Sequence, residues 1–378
     1  MKPLTFKTYT FGCRVNQAET SEIEKDLHKA GFQPVKDNQL ADLIIINTCV
    51  VTQKAEKEIR QLARKIKREN PQTFLILCGC AVDFWQRKGF PKLLVDLYVK
   101  NKEKEKLIDL IPFKSNRDLT AKGIKPHKNK YQRSNRQIIK IQEGCDQFCS
   151  YCIVACLRGK PKSKKISQII KETKEAEKKG IKEIILSGIN LGLFGQNTNE
   201  TIPQLLKALL KKTTISQISF GSIYPEVINN EFIKVYLQDQ KSKQKRLKLF
   251  FHLPLQSGSE KILKLMNRQF SLKKFQSITE KLHQALPQAL IATDVIVGFP
   301  GETEKEFQKT YQFLKKAPIL KFHVFRFSPR KETLAEKMAK EWGRVDEKTK
   351  TQRAKILREL GEKKYQKFLN KVANKQAL

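Results

Sequence analysis

Between residues 5 and 110 the chain alternates short apolar runs with longer amphipathic ones. TFKTYTFG (5–12) reads as a strand, and NQAETSEIEKDLHKAG (16–31) as a helix ended by Gly31. LIIINT (43–48) has the unbroken apolar text of a strand buried on both faces, and VTQKAEKEIRQLARKIKREN (51–70) returns to helical spacing. TFLILCG (73–79) is a third strand, followed by VDFWQRKG (82–89). Strands that alternate with helices in this way predict a parallel sheet in an open α/β domain.

Residues 112–136 are polar, basic and without period, and read as a linker and domain boundary. The alternation then resumes with six apolar strand texts: QIIKIQ, EIILSG, QISFGSI, LKLFFHLPL, LIATDVIVGF and LKFHVFRFSP. Helical text separates them, including SQIIKETKEAEKKG, PQLLKALLKK, NNEFIKVYLQD and KEFQKTYQFLKKA. Six strand–helix units are too few for an eightfold barrel and suit an open partial barrel whose mouth lies at the strand carboxyl ends. From Asp346 onward the text is one highly charged helix. The expected layout is therefore an α/β domain over 1–112, a linker over 113–136, a partial barrel over 137–345 and a charged helix over 346–378.

Eight cysteines add chemistry to this frame. Cys13, Cys49 and Cys80 each stand just beyond the carboxyl end of a predicted strand. That edge is where ligands bind in open α/β sheets, so the three can converge on one site. Cys145, Cys149 and Cys152 form a C-x3-C-x2-C loop after the first barrel strand. Soft sulfur ligands at this spacing select zinc, copper(I) or an iron–sulfur cluster. Three thiolates on a cubane leave its fourth iron open to a small molecule. A structural zinc would close on four, and Cys156 supplies a fourth thiol; both readings stand on spacing alone. Cys78 precedes Cys80 by two and reads as a packing thiol, as does Cys156 if the cluster takes only three.

The charge narrows the partner. The 378 residues carry 75 Lys and Arg against 38 Asp and Glu, a formal net charge of +37. With 39% hydrophobic residues and 22 Phe this is not a disordered basic tail. So basic a chain expects a polyanion, nucleic acid before an anionic membrane surface, unless the bias reflects genome composition. Lys122–Arg136, Arg158–Lys165 and Lys241–Lys248 are candidate patches. No apolar run reaches the length of a membrane helix, and the start has no signal-peptide core, which predicts a cytoplasmic protein without membrane association.

The text around the cysteines is similar to the radical S-adenosylmethionine (SAM) superfamily, and to its methylthiotransferases in particular. The resemblance is carried by GCRVNQAE (12–19), INTC (46–49), LCGCA (77–81), GCDQFCSYCIV (144–154), HLPLQSGS (252–259), TDVIVGFPGETE (293–304) and FHVFRFSPR (322–330). It implies two 4Fe-4S clusters. Cys145, Cys149 and Cys152 would hold the one whose open iron binds SAM and whose electron splits it to a 5′-deoxyadenosyl radical. Cys13, Cys49 and Cys80 would hold an auxiliary cluster that handles the sulfur. Tyr151 would flank the SAM adenine, Gly188 and Asn190 would lie along its methionine part, and Gln256, Ser257 and Gly298 would face the same mouth. An electron donor of the flavodoxin or ferredoxin type is implied as a partner.

Family members act on isopentenyladenosine in tRNA, on threonylcarbamoyladenosine in tRNA, or on an aspartate of a ribosomal protein. GCRVNQAE and SGINLG (187–192) resemble the threonylcarbamoyladenosine branch most, which implies methylthiolation at C2 of adenosine 37 in the tRNA anticodon arm. The chain departs from the family text at Ala155, at Tyr224, at Arg326 and Phe327, and at KET (331–333). The family's small C-terminal RNA-binding barrel, TRAM, is not expected within these residues, either because the chain is naturally short or because it is truncated; a naturally short form is expected to hold the RNA with its basic body.

Overall fold

The computed structural model of the protein describes residues 4–36, 39–113 and 135–376. They divide into two compact units, residues 1–140 with 156–159, and residues 141–155 with 160–378. Most of the expected linker, and with it most of the Lys122–Arg136 patch, lies outside the described residues.

In the first unit five strands form one sheet: β1 (Thr5–Thr10), β2 (Gln33–Pro34), β3 (Leu43–Thr48), β4 (Phe74–Gly79) and β5 (Leu97–Val99). Their order is β2-β1-β3-β4-β5, and every neighbouring pair is parallel. All six residues of β3 are buried, as its unbroken apolar text requires of a central strand covered on both faces. The helices are α1 (Arg14–Lys29), α2 (Gln53–Glu69) and α3 (Cys80–Lys88). In α2 only Ile59, Ala63 and Ile66 are buried, a stripe at helical spacing that leaves the charged remainder in water. Thr52 starts this helix, its Oγ1 accepting the Ala55 N–H at 3.1 Å. Cys78 lies in the core with Phe6, Ile45, Ile76 and Val99. Burial pushes its thiol up to about 12, which fits the packing role expected of it. The sequence reading missed β5 and the 3-10 helix Asn101–Leu110, whose Lys- and Glu-rich text buries only Lys104 and Leu107.

The second half of the chain runs β6 (Arg136–Glu143), α4 (Val154–Arg158), β7 (Lys162–Ser163), α5 (Ile166–Lys178), β8 (Glu183–Gly188), α6 (Ile202–Lys212), β9 (Gln217–Phe220) and α7 (Asn230–Lys241). It continues with β10 (Phe250–His252), α8 (Glu260–Leu265), α9 (Leu272–Ala285), β11 (Leu290–Val297), α10 (Glu304–Lys316), β12 (Lys321–Arg326), α11 (Leu334–Glu341) and α12 (Glu347–Gln376). All six expected barrel strands are present. They lie in two sheets, ordered β7-β6-β8-β9 and β10-β11-β12. A parallel bridge between Ile218 and Leu247 and the Ile223 N–H to His252 carbonyl bond join them edge to edge. Among the described residues β7 and β12 do not pair, so the barrel stays open.

The charged C-terminal helix is part of the barrel rather than an appendage. Arg358 donates to the Val324 carbonyl at 3.0 Å, and Gly361 leaves room for the Phe322 ring. Lys364 donates to the Leu314 and Ala317 carbonyls, both at 2.6 Å, at the carboxyl end of α10. Arg353 reaches the buried Glu302 carboxylate at 2.7 Å, and the same oxygen accepts the Gly298 N–H at 2.8 Å. Both partners of this pair are almost wholly buried, so removing one strands the other. Arg353→Met should destabilise the chain by about 3–5 kcal/mol in urea unfolding, and adding Glu302→Gln should recover part of the loss.

Candidate active site

Two sets of cysteines define two centres, one in each unit. The first follows from strand order. Because β1, β3 and β4 are parallel neighbours, their carboxyl ends share one edge, and Cys13, Cys49 and Cys80 stand just past those ends. Cys13 precedes α1 as its N-cap, Cys49 follows β3 directly, and Cys80 opens α3. Gly12 makes the approach possible: it sits at φ +96°, and a Cβ there would fall 2.5 Å from the Cys49 Cβ. Burial, helped by the neighbouring sulfurs of Cys80 and Cys13, raises the Cys49 thiol to about 11.

Cations and amides surround these sulfurs. Arg158 Nε lies 3.3 Å from the Cys80 Sγ, and Asn101 Nδ2 lies 3.6 Å from it. The same guanidinium donates to Glu19 Oε1 at 2.7 Å and to Asn16 Oδ1 at 2.6 Å. Asn16 in turn donates to the Phe11 and Thr48 carbonyls at 2.8 and 2.9 Å, tying the ends of β1 and β3 together. Glu19 also receives Lys104 at 2.6 Å and Lys140 at 3.2 Å. Burial alone would raise this carboxyl, but Lys104, Arg158 and Lys140 outweigh it and hold it well below the usual range.

The second centre is the loop after β6. Gly144 at φ +75° and Phe148 at φ +43° turn it tightly. Ser150 anchors it, its N–H and Oγ donating to the Met266 and Leu265 carbonyls at 3.0 and 2.7 Å. Asn267 donates to the Gln147 and Phe148 carbonyls. Arg268 stands over the sulfurs, with Nη1 3.6 Å from Cys149 Sγ and 3.4 Å from the Tyr151 hydroxyl, and Nη2 2.7 Å from the Pro254 carbonyl. Burial raises the thiols of Cys145 and Cys152, the latter to about 12. Thiols raised in this way lose their protons readily only to a metal, which is how such ligands bind.

Spacing bears on the kind of metal. Among the described residues a single set of His, Cys, Asp or Glu brings three ligand atoms within 4.8 Å of one another, and it contains no cysteine. Thiolates on one zinc, at about 2.3 Å each, stand about 3.8 Å apart. The cysteine sets are not drawn to single-zinc spacing, and the N–H donors aimed at their sulfurs suit the chemistry of an iron–sulfur cluster. Cys156, the fourth thiol of the zinc reading, is exposed on α4 and falls in the other unit.

The other expected site residues are placed as follows. Asn190 is buried; its Nδ2 lies 3.8 Å from Cys145 Sγ and its Oδ1 accepts the Gly192 N–H at 2.9 Å. Gly188 has no room for a side chain, since a Cβ would meet Gln142 Cβ at 2.9 Å. Tyr151 packs on the cluster of Ile262, Met266, Phe299 and Phe327. Gln256 takes φ +83° and bridges to Val295, so its backbone is committed to β11. Two positions pack on helices. Ser257 is wholly buried with its Oγ 3.2 Å from Thr310 of α10, and Gly298 lies against Lys350 of α12.

The basic patches also change. Arg158 is buried at the first centre, and Arg246 is buried with its guanidinium on the Ile215 and Leu210 carbonyls. Neither is free for a phosphate; Lys160, Lys162, Lys165, Lys243 and Lys245 remain exposed. Tyr224 donates to Gln147 at 3.3 Å under the Arg268 guanidinium, and Arg326 pairs with Glu347 on α12.

Comparison with known proteins agrees with this geometry. The Uncharacterized protein family UPF0004 matches residues 5–98, and the Radical SAM superfamily matches residues 139–314. A threonylcarbamoyladenosine tRNA methylthiotransferase, MtaB, of Aquifex aeolicus is 32% identical over 97% of this chain and 90% of its own. The enzyme of that name from Thermotoga maritima is 33% identical over 94% of this chain and 81% of its own. The chain belongs to the radical SAM methylthiotransferases. A tRNA-2-methylthio-N(6)-dimethylallyladenosine synthase of Clostridium tetani is also similar, 30% identical over 97% of this chain and 84% of its own. Among solved structures, the radical SAM methyltransferase TsrM of Kitasatospora setae aligns with a TM-score of 0.59 over 86% of this chain and 73% of its own. At 11% identity that likeness concerns the fold alone.

Membership makes this methylthiotransferase an enzyme and implies SAM and a 4Fe-4S cluster. The sequence reading missed Arg268, which MNRQF (266–270) does not advertise, and Arg158, which it grouped with surface lysines. The one available signal for Arg158 was its place beside Leu157 in a short helix, with no acidic neighbour in sequence to pair with.

Glu19 is the shared counter-ion of the first centre. Glu19→Ala should cost about 3–5 kcal/mol, read as a lower urea midpoint, because it leaves buried cations without a partner. The folded carboxyl is depressed, so its contribution is complete above the ordinary glutamate pKa of about 4.3 and is lost as pH falls from there through the folded value. The wild-type advantage over Glu19→Ala should accordingly shrink on acidification from about pH 5 to pH 3.

Proposed function

We propose that the chain methylthiolates C2 of N6-threonylcarbamoyladenosine beside the tRNA anticodon, using SAM and two 4Fe-4S clusters. The observation that carries the substrate is likeness along nearly the whole chain to enzymes named for threonylcarbamoyladenosine, at 31–35% identity. Relatives named for dimethylallyladenosine reach 29–31% and define the competing outcome. The exposed lysines support a tRNA partner, since Lys neutralises phosphates with release of counterions.

Cys145, Cys149 and Cys152 would hold the SAM-binding cluster, and Cys13, Cys49 and Cys80 the auxiliary one. Bound there, the first would supply the electron that cleaves SAM, and the second the sulfur to be methylated and inserted. The chain's own residues do the positioning. Arg268 fixes the side of the loop bearing Cys149 by its bonds to Tyr151 and Pro254. Asn190 fixes the Cys145 side, held by the Gln142 side chain at its own N–H. At the auxiliary set Arg158 sets a fixed positive charge beside the Cys80 sulfur. A flavodoxin- or ferredoxin-type protein is the proposed electron donor, and the reactive base is expected to leave its stack to reach the barrel.

Nucleoside mass analysis of tRNA from cells with and without the gene tests the substrate. Loss of 2-methylthio-N6-threonylcarbamoyladenosine is the expected result; loss of the methylthio dimethylallyl nucleoside instead would move the chain to the other branch. For the clusters, anaerobic reconstitution should give about eight irons per chain, falling to about four in a Cys13/Cys49/Cys80 triple alanine variant. About four irons in both proteins would remove the auxiliary site.

A further inference from the structure

Three titratable side chains on the barrel wall take no part in either cysteine set. His252 ends β10, Asp294 lies in β11 and His323 in β12. The register pairs Asp294 with His323 and His252 with Ala292. His252 Nε2 stands 2.9 Å and His323 Nδ1 3.4 Å from the same Asp294 oxygen, and the two rings meet edge to face at 5.0 Å. This is the set whose ligand atoms all lie within 4.8 Å.

Strand alternation fixes the face they occupy. Phe251 packs on Phe232 and Tyr236 of α7, and Phe322 on Gly361 of α12, so these residues point to the helical layer. His252 and His323, one position on, point to the opposite, open face. Phe325 shares that face two residues beyond His323 and is 51% exposed. The wall also joins the SAM-cluster loop, because Arg268 bridges the Cys149 sulfur and the Pro254 carbonyl two residues past His252.

Each imidazole spends one nitrogen on Asp294, and the second nitrogen of each ring has no partner among the described residues. Burial would raise the Asp294 carboxyl, but its bonds to both rings outweigh that and hold it near about 2, so it stays ionised. Protonated, the outer nitrogen of such a ring donates to a second carboxylate. Neutral, the same nitrogen accepts from a hydroxyl.

We propose that His252, Asp294 and His323 are the subsite for the carboxylate and hydroxyl of an amino acid appended to the substrate adenine, with Phe325 as the surface on which the base rests. The assignment depends on the threonylcarbamoyl reading above and gives it a physical basis. A threonyl group carries both functions the two free ring nitrogens need. A dimethylallyl group carries neither and would leave those nitrogens dry and unpaired, the arrangement by which polar sites reject apolar analogues.

The test is equilibrium binding of the reconstituted full chain, without SAM, to three anticodon stem-loops bearing threonylcarbamoyladenosine, dimethylallyladenosine or plain adenosine. Wild type should prefer the threonylcarbamoyl stem-loop by about tenfold or more. His323→Phe and, separately, Asp294→Asn should remove that preference while leaving affinity for the plain stem-loop unchanged, an outcome that a folding defect would not give. A preference that survives both substitutions overturns the subsite and leaves the substrate reading intact. No preference in wild type overturns both. A preference that appears only with added zinc and vanishes on its removal overturns direct recognition, since the three residues would then act as ligands of a metal ion.

Discussion

A single buried carboxylate organises the first centre. Glu19, buried on α1, is the carboxylate at an edge of sulfurs, amides and cations, and it collects Lys104, Lys140 and Arg158. None of these cations could be buried alone without losing its proton or its place. With the carboxylate present, Arg158 is pinned so that one edge of its guanidinium meets Cys80 and another meets Asn16. Asn16 then holds the ends of two strands whose following residues include Cys13 and Cys49. The cysteines come together because the strands are parallel, but the charge set around them decides what they meet.

The second centre uses the opposite device. There the cysteines are local in sequence, and the problem is to hold a short loop with two residues of positive φ in its neighbourhood open and ordered. Backbone anchors at Ser150 and Asn267 settle the loop's path, and Arg268 supplies the charge from another element. In both centres an arginine lies beside a sulfur, and in both it is oriented by other bonds rather than by the sulfur itself. Bonds to groups other than the sulfur preset the direction of each arginine, which is preorganisation in the ordinary sense.

This division explains what the sequence made legible. The six residues of LIIINT, buried on both faces, and the spaced stripe of α2 state their own structure, because burial is written in residue type and period. Strand-end placement brought Cys13, Cys49 and Cys80 to one edge for the same reason. What stayed hidden are contacts set by three-dimensional proximity alone. Arg158 reads in RGKPKSKK as one more surface cation, yet it is buried against a residue of α1. Ser257 and Gly298 read as members of a mouth because they follow barrel strands, and their contacts with α10 and α12 were not written in that text. The C-terminal helix reads only as highly charged, but Arg353, Arg358 and Lys364 spend their charge on carbonyls and a buried carboxylate. Net charge is thus a poor measure of the surface offered to RNA: part of the +37 works inside the fold.

The barrel wall shows that some of the hidden information was still recoverable. FFHLPL, ATDVIV and FHVF are apolar strand texts, each interrupted by one titratable residue. In a parallel barrel the inner face of every strand is set by alternation, and neighbouring strands are offset by a fixed register, so isolated polar residues in three consecutive strands fall either together or on different faces. Here the pairing of Asp294 with His323 puts them together. A polar group on an inner wall is costly unless something satisfies it. The two imidazoles satisfy one carboxylate and keep a nitrogen each in reserve, so the wall is stable without a ligand and still has two hydrogen-bonding positions to give. That reserve distinguishes a recognition surface from a merely structural polar network, whose members would have spent every donor and acceptor on one another.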